Sequence, residues 1–421
     1  MDTSAARLPY GHITLEVDVP TSDLIDVLSS RSDEKPGGEI ALLRHALAAP
    51  VGTPQLRDIV TSRQRIAIVT SDLTRPCPSD RLLPPMLDEL RAAGVPDDNV
   101  VIVMALGLHR PMTVTEIQST MGADVCRHVQ VINHDPDDIV RVGTTSAGTP
   151  VELFRPVVEA DVRICMGNIE FHYFAGYSGG AKAILPGCAS KATIQANHAM
   201  MVNPAARTGN IEGNPVRRDI EEGSALVGID FILNVVVDDH KHIVDAFAGD
   251  VTAAHRRGCR RVAQRGLVPI ARQADIVLVS AGGHPKDINL YQAQKALDNA
   301  SHAVRSGGTI ILVAECPEGL GNRTFEQWMT EAHSADDILA RIQREFVLGG
   351  HKAAAIAAVT KIAQIYLVSS LPAQMARQCG MVPFDSVIQA LDAARSGFDI
   401  QPSLLIMPDG GSVLPSYKGR M

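Results

Sequence analysis

Several absences narrow the function classes open to this chain. Its seven cysteines, at 77, 126, 165, 188, 259, 316 and 379, are odd in number and never spaced C-x-x-C. That excludes a disulfide framework and a thiolate zinc site, and leaves reduced, mostly core residues. Aromatics are sparse, with one tryptophan, six tyrosines and nine phenylalanines, and the formal charge is −8. Without a basic excess or stacking residues there is no general nucleic-acid surface. No apolar run approaches the roughly 20 residues of a bilayer span. MDTSAARLPYGH, at the start, has no apolar signal-peptide core. The expected setting is the cytoplasm, with no membrane and no nucleic acid as partner.

What is present is an ordinary folded composition, 45% hydrophobic and 20% charged, over 421 residues. That length exceeds one hydrophobic core and predicts two domains. Short β-rich runs alternate with helical segments, the pattern of an α/β protein with mainly parallel, Rossmann-like sheets. RIAIVT (65–70), NVVIVMAL (99–106), VQVI (129–132) and DVRICMG (161–167) read as buried strands. SDRLLPPMLDELRAAGV (79–95) reads as a crossover helix, with Ser79 as N-cap and Gly94 as stop. A second series follows in ADIVLVSAGG (274–283), GGTIILVAEC (307–316), KIAQIYLVSS (361–370) and SLLIMPDGG (403–411). Between the two series, residues 230–250 read as a β-hairpin turning at Asp239 and His240, and HRRGCRRVAQR (255–265) reads as a linker or a solvated helix face. The expected organisation is an N-terminal domain over 1–270, a C-terminal domain over 271–400, and a tail over 401–421 returning to the first.

Ligands of open α/β sheets gather at the carboxyl ends of strands. Three such positions are chemically loaded: SDLTRPCP (71–78), GLHRPM (107–112) and NIEFHYFAGYSGGAK (168–182). They supply Asp72, Thr74 and Arg75, then His109 and Arg110, then Glu170, His172 and Lys182, while His198 follows in a helix starting near Lys191. Each has a plainer reading. Asp72 and Thr74 suit a turn before Pro76. Arg75 suits a surface ion pair as well as a bidentate grip on a carboxylate. His109, His172 and His198 suit capped, packed or surface imidazoles, and Lys182 a solvated ammonium.

The run Gly176, Gly179, Gly180, Lys182 departs from G-x-x-x-x-G-K-[ST], because alanine separates the glycine pair from the lysine and another alanine follows. A nucleoside-triphosphate loop is excluded. What survives is a loop whose backbone N–H groups and Ser178 can approach an anion, beside a lysine that becomes a nucleophile if desolvated. Glu170, His172 and His198 lack the close spacing of a dedicated zinc site.

Taken together, D-L-T-R-P (72–76), G-L-H-R-P-M-T (107–113), F-H-Y-F-A-G-Y-S-G-G-A-K (171–182), N-H (197–198) and G-G-H-P-K-D-I-N-L-Y-Q-A-Q-K (282–295) resemble the lactate racemase family. The resemblance runs in order through both predicted domains. It implies a nickel-pincer nucleotide, pyridinium-3-thioamide-5-thiocarboxylic acid mononucleotide, bound covalently on Lys182, with His198 as the protein's ligand to nickel. It implies His109 and His172 as the paired acid/base residues, and Arg75, Gln292 and Lys295 as substrate-binding residues. Asp72, Thr74, Ser178, Gly179 and Gly180 would lie near the cofactor, and the active site in the cleft between the domains.

The implied reaction inverts C2 of a 2-hydroxy acid by reversible hydride transfer, with one histidine on each side of the hydroxyl proton. A pKa of about 6.5 suits histidine to both directions. The implied partners are a small 2-hydroxy acid and the cofactor-biosynthesis enzymes. LGGHKAAAIA (348–357) puts His351 and Lys352 where the family's lactate enzyme carries a tryptophan, which points to a substrate larger or more polar than lactate: malate-like, a sugar acid or a longer hydroxy acid. Equally, both residues suit the exposed start of a helix. Two other classes stay open, a Schiff-base lyase or aldolase using Lys182 and a non-catalytic carrier of the nucleotide.

Overall fold

The segment IAIVTS is buried along nearly its whole length, as a strand covered on both faces must be, and it forms the strand Ile66–Ser71. In the computed structural model, which describes residues 3–29, 38–238, 241–347 and 349–417, it lies centrally in one of two six-stranded sheets. The chain divides into two units, residues 33–264 and residues 1–32 with 265–421.

In the unit 33–264 the strand order is Ile243–Gly249, Phe231–Val237, Val162–Asn168, Ile66–Ser71, Val100–Ala105, Gln130–Asn133. Every neighbouring pair is parallel except the first, the expected hairpin, whose turn at Asp239 and His240 lies outside the described residues. The chain runs outward from Ile66–Ser71 to one edge and then resumes at Val162–Asn168 on the other side, so the order reverses between these two strands. A reversal of this kind opens a crevice at the carboxyl ends, where ligands of open α/β sheets sit.

The helix Ser79–Ala92 buries Leu82, Leu83, Met86, Leu87 and Leu90, one apolar face packed into the same core as Ile66, Ile68 and Ile102. Ser79 does not cap it as expected. Pro78 holds the N-cap position, and the Ser79 hydroxyl is buried against Thr70 Oγ1 at 2.8 Å. Gly94, in the left-handed region at φ 79°, follows the C-cap as predicted. The charged run 255–265 lies within the helix Ala253–Gly266.

The other unit is built on a parallel sheet in the order Val382–Phe384, Gln364–Val368, Val304–Val313, Ala274–Ser280, Leu404–Met407, Leu24–Val27. This corrects the domain expectation at both termini. Leu404–Met407 is buried throughout and pairs with Ala274–Ser280, so the tail does not return to the first unit. Residues 1–32 also belong here. The hairpin of Thr3–Tyr10 and Ile13–Pro20 buries Leu8, Val17 and Val19 in one core with Ile276, Leu278 and Ile311. Strand pairing between the two ends of a chain leaves no local signal, and LIDV, half exposed, is too short to announce itself. No helix among the described residues is long and apolar enough to cross a membrane.

Leu8 is fully buried, so Leu8→Ala should cost about 2–5 kcal/mol. Hydrogen exchange checks where: strand Ala274–Ser280 is expected to lose protection while Ile66–Ser71 keeps it. The opposite pattern would return the N-terminal hairpin to the other unit.

Candidate functional site

The three loaded loops follow three adjacent strands of the unit 33–264: Val162–Asn168, Ile66–Ser71 and Val100–Ala105. The loops after Val100–Ala105 and Val162–Asn168 are linked through Gly187, by Gly107 N to Gly187 O at 2.9 Å and Gly187 N to Lys182 O at 3.2 Å. After the middle strand, Asp72 turns a buried carboxylate onto the loop that follows Val100–Ala105. Its Oδ2 lies 2.6 Å from His109 Nδ1, and its Oδ1 accepts the Thr74 amide at 3.1 Å and the Thr74 hydroxyl at 2.7 Å. Burial pushes the Asp72 carboxyl up, but the hydrogen bonds from His109 and Thr74 outweigh it and hold it below the ordinary carboxylate range. An ionised carboxylate only accepts, so the shared proton sits on Nδ1 and the lone pair of the neutral ring on Nε2. His109 is one-third exposed and reachable by a ligand. Of the two residues expected beside the cofactor, Asp72 has His109 as its partner and Thr74 has Asp72. Arg75 is exposed, with its charge bearing on Asp72, His172 and Lys182, whereas Arg110 is paired with Glu116 at 2.8 Å.

In the long loop, Phe171–His172 pairs antiparallel with Gly176–Tyr177. Gly176 has φ 76°, and a Cβ there would fall 2.0 Å from Asn210 O, so only glycine permits this close approach. His172 Nδ1 accepts the Ala175 amide at 3.3 Å, which puts the proton of the neutral ring on Nε2, 3.3 Å from Lys182 Nζ. Both groups are pushed toward their neutral forms. Burial holds the His172 pKa well below 6.5, reinforced by the charges of Lys182, Arg75, His198 and Arg217. Burial likewise holds Lys182 well below 10.5, helped by Arg217 and Arg75 and opposed by Glu170. The side chains keep partial solvent access while the atoms packed around them remove most hydration. A neutral amine accepting the imidazole N–H completes the pair, and such an amine is a nucleophile.

The loop is fastened from behind by the helix Pro215–Ala225 and its cap. Asn214 Nδ2 donates to Phe174 O at 2.9 Å, Arg217 Nε to Ala175 O at 3.3 Å and Nη2 to Tyr177 O, and Ser224 Oγ to Ala181 O at 3.1 Å. Arg217 Nη1 reaches Gly179 O at 3.5 Å, and His255 Nε2 holds Ser178 O at 2.8 Å. The loop is therefore closed where the sequence suggested an open anion cradle. The Ser178 hydroxyl accepts from Glu170 N and donates to Asn168 O, both at 2.9 Å, and the Gly180 amide donates to Asn234 Oδ1 at 2.8 Å. Gly179 packs against Asn234 and Ile169, and Gly180 against the His255 ring.

The same helix orients His198, on Lys191–Ala199. Asp219 Oδ2 accepts from Asn197 Nδ2 at 2.8 Å and from Thr149 Oγ1 at 2.9 Å. Asn197 Nδ2 also donates to Val216 O at 3.2 Å, so the amide must present its oxygen to His198 Nδ1, 2.9 Å away. Nδ1 then carries the proton and Nε2 the lone pair. This is the outer support that metal-ligating histidines have. His198 is buried, edge-on to Phe174, whose ring also meets His172 edge-on.

Gln292 and Lys295 lie in the other unit, on the helix Leu290–Ala300. Its first amides are taken by Gly319 O, Leu320 O and the Asn289 side chain. Against the expectation of an exposed helix start, His351 is buried, with Nδ1 accepting the Gly349 amide at 3.0 Å. Lys352 reaches Gln294 Oε1 at 2.8 Å and lies over the Tyr291 ring. Arg217, Asp219 and His255 were missed from the sequence. HRRGCRR reads as a linker or a solvated face, NPVRRDIEEG is not singled out, and nothing local distinguishes Arg217, which is buried.

The lactate racemase N-terminal domain model matches residues 10–209 and the C-terminal domain model residues 270–414. The chain belongs to the lactate racemase family. It is therefore an isomerase of the racemase class. The lactate racemase of Thermoanaerobacterium thermosaccharolyticum is 37% identical over 424 residues, 98% of this chain and 99% of that one. That of Lactiplantibacillus plantarum is 35% identical over 342 residues, 80% of each. The structure of the lactate racemase apoprotein from the former organism matches with TM-score 0.92 at 35% identity, over 98% of this chain and 100% of that one. A Thermotoga maritima protein, 20% identical with TM-score 0.66, matches over 92% of this chain and 100% of that one and shares the fold.

Two measurements check the electrostatics of this residue cluster. Trace acetylation of the apoprotein should modify Lys182 with a midpoint well below the ~10.4 of an ordinary lysine. A midpoint at the ordinary value would contradict the neutral pair. His172 and His255 are both held well below 6.5, chiefly by burial, so the unfolded chain binds protons that the folded chain refuses. Their contribution lowers stability as pH falls below about 6.5. Replacing His255 by Asn is expected to flatten that decline in urea midpoints between pH 7 and 5.

Proposed function

We propose that the chain inverts C2 of a 2-hydroxy acid, lactate or a larger or more polar relative, by reversible hydride transfer to a nickel-pincer nucleotide held covalently on Lys182. The observation that carries this reading is the complementary pair of tautomers. His109 offers a lone pair at Nε2, held by Asp72, and His172 offers a proton at Nε2. A racemase needs both a proton acceptor and a proton donor, and each must be able to exchange its role.

The residues present fit such a cofactor. Lys182 is a desolvated amine pushed toward its neutral form, which suits it to forming a covalent bond. His198 is buried with Nδ1 committed, so Nε2 is the nitrogen for a metal. Among the described residues no three histidine, cysteine or acidic side chains gather to hold a metal. One imidazole suits nickel that brings its remaining ligands on organic sulfur. When bound, this group supplies the acceptor for the C2 hydride.

The chain's own part is proton handling and grip. His109 Nε2 takes the hydroxyl proton of one enantiomer, and His172 Nε2 returns a proton to the oxygen for release of the other. Solvent then removes the extra proton from His109 and replaces the one His172 gave up, so both rings regain their starting forms. The reverse reaction exchanges the two roles. Arg75 meets the substrate carboxylate with its guanidinium fork. Gln292 and Lys295 keep the substrate-binding role that the resemblance gives them. Lys352 and His351 are the residues to vary for substrates beyond lactate. The proposed setting is cytoplasmic, with the cofactor-biosynthesis enzymes as partners in loading.

The neutral lysine also fits a Schiff-base lyase, and a carrier would use the same tether. Protein produced together with the cofactor-biosynthesis enzymes separates these readings by intact mass, nickel content and a panel of single-enantiomer 2-hydroxy acids. The expected result is an adduct on Lys182, bound nickel and racemisation. A borohydride-trapped substrate adduct without nickel would overturn it, and an adduct with nickel but no turnover of any acid would leave a carrier. His109→Ala and His172→Ala should each lower kcat by about 10²–10⁴. Lys182→Ala should remove the adduct and His198→Ala the nickel. Near-normal values in any of the four would refute that residue's role.

A further inference from the structure

We propose that Arg217 is a positioning residue for the lysine: its buried guanidinium, fixed on the loop's carbonyls, confronts the Lys182 amine with a permanent positive charge and makes that amine a ready nucleophile for attachment. The inference rests on the reading of Lys182 as the tether, and its test does not require the cofactor.

Arg217 is 1% exposed. Charges this deeply buried are ordinarily matched by a carboxylate. Here the donors go to backbone oxygens, Ala175 O at 3.3 Å, Tyr177 O and, at 3.5 Å, Gly179 O. Glu221, the carboxylate that bears on it, is held by Arg256 at 2.7 and 2.8 Å. Carbonyl dipoles satisfy the N–H groups without cancelling the charge. The three carbonyls belong to the turn that leads into Lys182, so the fork sets the path of the turn that carries the amine.

The titratable and charged groups around Lys182 are His172 at 3.3 Å, Arg75, Arg217, Glu170 and, behind the loop, His255. Glu170 favours the ammonium, and Arg75 opposes it from an exposed position where salt screens it. Arg217 is shielded from solvent, and its charge adds to burial in disfavouring the ammonium of Lys182. In the sequence it is one of several charges in RRDIEE (217–222). In the fold it is the cation that the site cannot neutralise by hydration.

The test is the pH profile of acetic anhydride labelling at Lys182 in the full-length apoprotein, read by peptide mass spectrometry, with circular dichroism as the folding check. Arg217→Gln keeps hydrogen-bonding capacity without charge, and should lower Lys182 reactivity at pH 7 by about tenfold or more, with the midpoint moving up. Arg217→Lys keeps the charge with fewer donors and should stay close to the parent profile. An unchanged profile in folded Arg217→Gln, or an equal shift in both variants, would overturn the proposal. If Arg217→Gln does not fold, Arg217→Met, neutral and of similar length, takes its place: a midpoint that rises supports the buried charge, and one that stays at the parent value refutes Arg217.

Discussion

The site depends on the way one helix holds the backbone of a loop. From Asn214 to Ser224, the helix Pro215–Ala225 and its cap donate to the carbonyls of Phe174, Ala175, Tyr177 and Ala181, with a longer contact to Gly179. A loop with three glycines in the left-handed region has little stiffness of its own. Here its stiffness comes from side chains that satisfy its buried carbonyls, each of which would otherwise be costly to leave unpaired. Through Asp219 and Asn197 the same helix sets the ring of His198. The proposed tether and the proposed metal ligand are thus referenced to one rigid element, as a site that must hold close tolerances requires.

The second constraint is electrostatic. Lys182, His172, Arg75 and Arg217 bring nitrogen after nitrogen into one region, with Glu170 as the carboxylate that bears on the lysine. Desolvation and mutual repulsion are relieved when the titratable members give up protons, and both Lys182 and His172 are pushed in that direction. Asp72 stands apart from this trend. Hydrogen bonds from His109 and Thr74 keep it ionised despite burial, which places the His109 proton on Nδ1. Two histidines of one loop cluster therefore present opposite faces of proton chemistry because their Nδ1 partners differ, a carboxylate for one and a backbone amide for the other.

Much of this was legible in the sequence, for physical reasons. Doubly buried parallel strands write continuous apolar runs, so Ile66–Ser71, Val100–Ala105 and Val162–Asn168 were placed within a residue, and the residues after them were the right ones to inspect. Long-range pairing writes nothing local. The strand Leu24–Val27 sits beside Leu404–Met407 at the far end of the chain, and the domain expectation failed there. In the site, residue types with intrinsic chemistry were found, whereas the residues that orient them were not. Arg217, Asp219 and His255 look like solvated charges until the fold buries them, and Asp72 shows its partner only when two loops meet.

The central claim is that the hydrogen at C2 moves as a hydride while the two histidines handle only the hydroxyl proton. A single enantiomer of lactate carrying deuterium at C2 tests this most directly, with the cofactor-loaded protein in ordinary water and the product examined by proton NMR. Hydride transfer predicts that the opposite enantiomer forms with deuterium still at C2, since the migrating atom never enters the pool of exchangeable protons. Racemisation with deuterium replaced by solvent hydrogen would mean that a base removes the C2 hydrogen as a proton, and would contradict the account.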